Sequence, residues 1–359
     1  MPQILLNPGP VVLSDRVRNA MLRPDLCHRE AEFAELQNTI RHDLLKVYSL
    51  PEDEWAAILM TGSGTAAMES MMTSLVPDHG KVLIIENGVY GERLTRIAEI
   101  HHINHQTLHH EWGEAIDLNL LEDELRYHEG FSHVAVVHHE TTTGRLNDLA
   151  GIAEICKKYN IPILLDGVSS FGAEDIEFED WNLVACAATA NKCLHAVPGT
   201  SFVICNRNAL EEMHTTPQRT LYLDLASYLK NQDANGTPFT QSVQTFYALS
   251  EALKELQKQG GQRKRKQNYW DRLNIVREGL EKQGIHALMQ VEDCSCVLNA
   301  FHLPEGIAYE TLHDALKENG FIIYAGQGVL SQSIFRISCM GEIKKQELQR
   351  FVSVIGGIV

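Results

Sequence analysis

Leu164-Leu165-Asp166-Gly167-Val168-Ser169-Ser170 ends an apolar run on a carboxylate, and 26 residues after that aspartate Ala190-Asn191-Lys192-Cys193 ends another on an amine. Around this pair, short apolar runs alternate with helix-period segments from about residue 55 to 205. That is the pattern of parallel βαβ units. Strands are expected at 56–60, 82–86, 134–139, 161–165, 183–189 and 201–205, with helices at 66–75, 92–101 and 149–159 between them.

Beyond Thr240 the texture changes. Two long helical patterns, 242–259 and 261–283, meet at Gly260-Gly261. They lead into a strand at 297–301, a helix at 309–319, strands at 321–324 and 335–338, and a last helix at 344–355. Asn7-Pro8-Gly9-Pro10 cannot be helical, because proline lacks the amide proton and fixes its own backbone. The expected organisation is an extended arm (1–15), a large α/β domain with a mostly parallel sheet flanked by helices (16–245), and a smaller α+β domain (246–359).

The net charge of −16 argues against nucleic acid, whose phosphates demand a cationic face. No apolar run approaches membrane-span length and no basic leader precedes Ile4-Leu5-Leu6, so a cytoplasmic protein with no membrane partner is expected. Cysteines in contexts such as Val203-Ile204-Cys205 read as buried hydrophobes. The crowded His101, His102, His105, His109 and His110 have no accompanying carboxylate or cysteine pattern, so no metal site is expected. Arg263-Lys264-Arg265-Lys266 reads as a solvated helix face.

In open α/β sheets ligands bind beyond the carboxyl ends of the strands. Four polar elements fall there: Thr61-Gly62-Ser63-Gly64-Thr65, Glu140-Thr141-Thr142-Thr143-Gly144, Asp166 and Lys192. Taken alone, residues 62–65 read more readily as a helix cap with a turn glycine than as a phosphate cradle, and Asp166 as a turn cap. Together they form a site. A lysine that can condense with an aldehyde, and an aspartate that can keep a pyridine nitrogen protonated, are what pyridoxal 5'-phosphate chemistry requires. Lys192, between alanines and Cys193-Leu194, is in poor surroundings for a solvated charge. Tyr90 follows the second strand and could stack on a planar ring, or equally be a packed loop tyrosine. Arg336, alone on an apolar strand, calls for a buried carboxylate or an anionic ligand.

These motifs resemble the class V aminotransferases, a family of fold-type I pyridoxal phosphate enzymes, over essentially the whole chain. The likeness runs from Asn7-Pro8-Gly9-Pro10 through His28-Arg29-Glu30-Ala31-Glu32-Phe33 and Gly62-Ser63-Gly64-Thr65 to Phe335-Arg336-Ile337. His138-His139-Glu140-Thr141-Thr142-Thr143-Gly144 and Asn191-Lys192-Cys193 with Val197-Pro198-Gly199 are similar to the branch that exchanges an amino group between 2-aminoethylphosphonate and pyruvate. The resemblance implies that Lys192 holds the cofactor and moves the proton, Asp166 pairs with the ring nitrogen, Tyr90 stacks and Thr141 reaches the phenolic oxygen. It implies that Ser63, Gly64 and Thr65 bind the phosphate with Thr240 from a partner subunit, that Gly9 and Arg336 meet the substrate, and that the enzyme is a homodimer. Alanine–glyoxylate or serine–pyruvate transamination, and a lyase acting on a phosphonate amine, are the rival activities. A cysteine desulfurase would need a nucleophilic cysteine on a mobile loop, and Cys294 and Cys339 lie in strand-like or short polar contexts instead.

Overall fold

The computed structural model describes residues 3–212 and 218–359; the first two residues of the expected arm lie outside that range. A seven-stranded sheet forms the centre. Its strands in chain order are β1 (Trp55–Gly62), β2 (Lys81–Glu86), β3 (His105–His109), β4 (Phe131–Val137), β5 (Ile163–Asp166), β6 (Leu183–Thr189) and β7 (Gly199–Asn206). Across the sheet the order is β1-β7-β6-β5-β4-β2-β3. All neighbours pair in parallel except at β7, which runs antiparallel to both β1 and β6. The strand expected at 201–205 is therefore present but reversed, while the sheet as a whole is mostly parallel.

Both faces of the sheet are covered. In β1, Trp55, Ala57 and Leu59 enter one apolar core and Ala56, Ile58 and Met60 the other, so successive side chains alternate between two buried layers. Helices α1 (Gly64–Leu75) and α2 (Val89–Ile100) cover the second face, and the long helix α3 (Val243–Lys258) covers the first. The histidine-rich segment 105–109 is the edge strand β3, which sequence periodicity missed.

After α3, helix α4 (Gly261–Glu281) leads to a three-stranded antiparallel sheet of β8 (Leu298–His302), β9 (Tyr324–Ala325) and β10 (Ile334–Ser338), in the order β8-β10-β9. The strand expected at 321–324 is two pieces in different sheets: Phe321–Ile322 pairs instead with Ile4–Leu5 of the arm, in parallel. Ile4 and Leu6 are buried in the same core as Phe321, Phe335 and Phe351. Further along the arm, Val12 accepts from the backbone of Glu342 at 2.8 Å. Gly341 permits that approach: it has φ +91°, and a Cβ there would lie 2.8 Å from the Val12 oxygen.

Candidate active site

Asp166 is the last residue of β5, in the middle of the sheet, and is 2% exposed. One carboxylate oxygen accepts from the Val168 amide at 2.9 Å; the other has no hydrogen-bond partner among the described residues. Burial pushes its pKa up to about 6, although the Val168 hydrogen bond and the charges of Lys192 and Arg93 pull the other way. Lys192 lies three residues beyond β6 and is 9% exposed. Its amine has no hydrogen bond or ion pair among the described residues, and Nζ stands 5.5 Å from the centroid of the Tyr90 ring.

The turn that carries Lys192 is held from outside the sheet. Arg265 on α4 donates to the Cys193 carbonyl at 2.6 Å. His195, at φ +64°, contacts the Tyr269 hydroxyl through Nε2, which also accepts from the Gly341 amide at 2.8 Å. Accepting at Nε2 requires a neutral ring, and burial drives this imidazole well below its ordinary pKa, helped by Arg265 and Arg272. The basic run 263–266 is thus only half what sequence suggested. Arg263 and Lys264 are exposed, whereas Arg265 is buried and Lys266 bridges Glu174 and Asp175. One helical face cannot hold four consecutive residues, so the run had to divide.

The segment after β1 opens α1 with Ser63 at the cap position. No side chain caps this end, and the amides of Gly64 and Thr65 have no partner among the described residues. A helix N-terminus with free N–H groups is suited to a phosphate. Gly64 is needed here because a Cβ would lie 2.7 Å from Val168, two residues from Asp166. Arg93, which sequence reading missed, donates to the Thr65 hydroxyl at 3.3 Å and lies 4.5 Å above the Tyr90 ring. Its one available signal was the three-residue helical spacing from Tyr90.

Glu140 fixes Tyr90. This fully buried carboxylate accepts from the amides of Tyr90 (3.1 Å) and Gly91 (3.4 Å), which begin α2, and from the amide (3.1 Å) and hydroxyl (2.6 Å) of Thr142. Gly88 leaves room for it, since a Cβ would come within 2.4 Å of the carboxyl carbon. Next to it, the Thr141 hydroxyl is buried with no partner among the described residues. The Thr141 carbonyl accepts from Arg336 on β10 at 2.9 Å, which joins the two sheets at the site. Arg336 is 4% exposed and also donates to the Ala325 carbonyl (2.8 Å) and the Gln327 side chain (3.2 Å). No carboxylate pairs with it among the described residues. Gly9 reaches the site from the arm: a Cβ on it would lie 3.3 Å from Lys192 Cγ and from the Asn191 carbonyl.

The structure therefore brings Gly9, Tyr90 and Lys192 together, sets Ser63, Gly64 and Thr65 beside the Asp166 loop, and links Thr141 to Arg336. It does not bring Thr240 to them. That residue is exposed, while its neighbours Gln241 and Ser242 are hydrogen-bonded to Thr61. A free buried amine, a half-used carboxylate, an orphaned threonine hydroxyl and an open helix N-terminus are the complement of an aldehyde, a ring nitrogen, a phenolic oxygen and a phosphate. The residues present fit pyridoxal 5'-phosphate.

Residues 15–351 match the family described as aminotransferase class-V, and with this fold and site the chain belongs to it. It is a pyridoxal phosphate-dependent aminotransferase. The 2-aminoethylphosphonate–pyruvate transaminase of Bacillus cytotoxicus is 34% identical over 99% of this chain and 98% of its own. The bifunctional phosphonoacetaldehyde hydrolase/aminoethylphosphonate transaminase of Clostridioides difficile is 32% identical over 98% of this chain and 56% of its own. Among solved structures, an alanine–glyoxylate aminotransferase from Nostoc superposes with TM-score 0.93 at 26% identity, covering 100% of this chain and 95% of that one. A Thermus thermophilus aspartate aminotransferase of subgroup IV gives 0.89 at 28%, covering 99% and 98%.

Proposed function

We propose that the enzyme moves the amino group of 2-aminoethylphosphonate to pyruvate, giving phosphonoacetaldehyde and L-alanine, or runs this exchange in reverse, by a ping-pong cycle. The observation that carries the substrate reading is Arg336, a buried cation on the rim of the site with no carboxylate partner among the described residues. A guanidinium so placed calls for an anion on the substrate, which phosphonate and pyruvate both supply. The names of the full-length relatives point the same way.

When bound, the cofactor supplies an electron sink for the carbon that loses a proton. Asp166 keeps the ring nitrogen protonated, and Thr141 donates to the phenolic oxygen. Tyr90 packs against the ring, held in place by Glu140. Ser63, Gly64 and Thr65 bind the phosphate with Arg93 alongside. Lys192 Nζ would carry a proton from the substrate's amine-bearing carbon to the cofactor's aldehyde-derived carbon, and in the opposite direction in the second half, so one base would serve both halves of the cycle. Gly9 keeps the arm close to that amine without a side chain in the way. Residues 16–245 form the cofactor domain and 246–359 the domain that carries Arg336.

The working unit in this reading is a homodimer in the cytoplasm, with Thr240 completing the phosphate site of the partner subunit. No helix among the described residues is long and apolar enough to cross a membrane. A nucleophilic role for Cys294 or Cys339 is disfavoured because both are buried, and burial pushes the Cys339 thiol up to about 12. A steady-state assay with pyruvate and either 2-aminoethylphosphonate, L-serine or L-aspartate tests the substrate reading. The phosphonate amine should give the largest kcat/KM. A clear preference for serine or aspartate, or for glyoxylate over pyruvate, would replace it with another class-V activity.

A further inference from the structure

Arg336 cannot present its whole fork to a ligand. Its Nε donates to Ala325, and both hydrogens of one terminal nitrogen are used by the Thr141 carbonyl and the Gln327 side chain. Only the other terminal nitrogen keeps its two N–H groups. Guanidinium has donors and no acceptor, so the Gln327 atom facing it at 3.2 Å must be the amide oxygen. The orientation of this amide is thereby fixed, and its nitrogen is left as a donor that Arg336, which has no acceptor, cannot use. That nitrogen has no hydrogen-bond partner among the described residues, and Gln327 is half-buried.

Gln327 is also held by its neighbours. A Cβ at Gly326 would lie 2.1 Å from the Leu330 carbonyl oxygen. Gly328 has φ +48°, and a Cβ there would lie 2.6 Å from the Trp112 ring. Trp112 is itself anchored by donating to Glu92 at 2.7 Å. The glutamine therefore stands between two glycines that let its loop close tightly against the large domain.

We propose that Gln327 is the second anion donor of the substrate site, and that its amide nitrogen together with the free end of Arg336 selects phosphonate over carboxylate. This rests on the reading of Arg336 as the substrate's anion grip. A tetrahedral phosphonate offers three oxygens in different directions and needs donors from more than one group. A planar carboxylate is satisfied by fewer. Because the added donor is neutral, it enlarges the donor set without holding the keto acid too tightly for release.

The test uses the full-length enzyme loaded with cofactor, and binding is read by 31P NMR titration with methylphosphonate and by its displacement with acetate. Gln327→Leu keeps the size and removes the donors. It should weaken methylphosphonate about ten-fold or more, the usual weight of a hydrogen bond to a charged group, and acetate less than about three-fold. Gln327→Glu should weaken both, because the new carboxylate pairs with Arg336. An unchanged cofactor absorbance band in each variant would show that the site is still folded. Equal losses of both anions in Gln327→Leu, no loss, or no methylphosphonate binding by the unmodified enzyme would overturn the assignment. Methylphosphonate binding without turnover of 2-aminoethylphosphonate would instead sink the substrate reading and leave the donor pair standing.

Discussion

Lys192 and Asp166 are both buried, yet they do not pair with each other, and each retains bonding capacity that nothing else among the described residues uses. That spare capacity separates a site from a structural ion pair. Both were legible in sequence because each ends an apolar run, where a charge has no structural reason to be. Arg93 and Gln327 were not legible, since their roles come from contacts with Thr65, Tyr90 and Arg336 that no local pattern encodes. Arg336 was legible as a buried cation, but the partners that tie up two of its nitrogens were not. Those partners make Arg336→Lys a severe change. Lysine places one nitrogen where arginine uses two to hold Ala325 and Thr141. KM for both the amine and the keto acid should rise about 10- to 100-fold, with cofactor occupancy retained. Steady-state kinetics beside an absorbance spectrum of the purified variant will check this.

Among the elements, β6 coincides with its expected range and α1 and α2 begin only two or three residues early, because long apolar periodicity reports burial directly. Periodicity failed at β3, whose polar edge position leaves few apolar residues to alternate. It failed again at 321–325, where the chain changes sheets at Ile323 without a break in hydrophobicity. The helix whose placement matters most for the chemistry is α2, and it is capped from far away in sequence by Glu140. Glu140→Ala would leave the amides of Tyr90, Gly91 and Thr142 without their acceptor. A loss of about 2–3 kcal/mol in stability is expected, with weaker cofactor binding as Tyr90 loosens. Glu140→Gln keeps one acceptor oxygen and should recover much of the loss. Thermal unfolding and cofactor titration of the two variants will show the contrast, and equal melting temperatures would remove Glu140 from this role.

For the whole molecule, burial of ionisable groups sets the acid limit. His133 and His138 are brought down to about 4 and His139 to about 3, chiefly by burial, and His195 is depressed in the same way. Each is neutral in the folded protein and ordinary, near 6.5, in the unfolded chain. Their contribution is complete above 6.5 and is lost as pH falls toward the folded values, by roughly 1.4 kcal/mol per pH unit for each ring. Asp166 acts in the opposite sense. Raised from 3.8 to about 6, it favours the cofactor-free fold at low pH and loses that contribution as pH rises through 6. Glu140, raised by burial as well, acts with Asp166; four histidines outweigh these two carboxylates, so the melting temperature of the cofactor-free protein should drop between pH 6.5 and 4. A flat profile over that range would mean that these rings are not held neutral.

Lys192 and Asp166 are proposed to hold pyridoxal phosphate in a site whose amine donor carries a phosphonate. Mixing the cofactor-loaded enzyme with 2-aminoethylphosphonate and no keto acid, while following the visible spectrum, decides the matter. The cofactor's band should convert to that of pyridoxamine phosphate and be restored by pyruvate, and Lys192→Ala should do neither. A spectrum unmoved by this amine but converted by L-serine or L-aspartate would exclude the phosphonate amine as the donor. A protein that takes up no cofactor would rule out this role for Lys192 and Asp166 altogether.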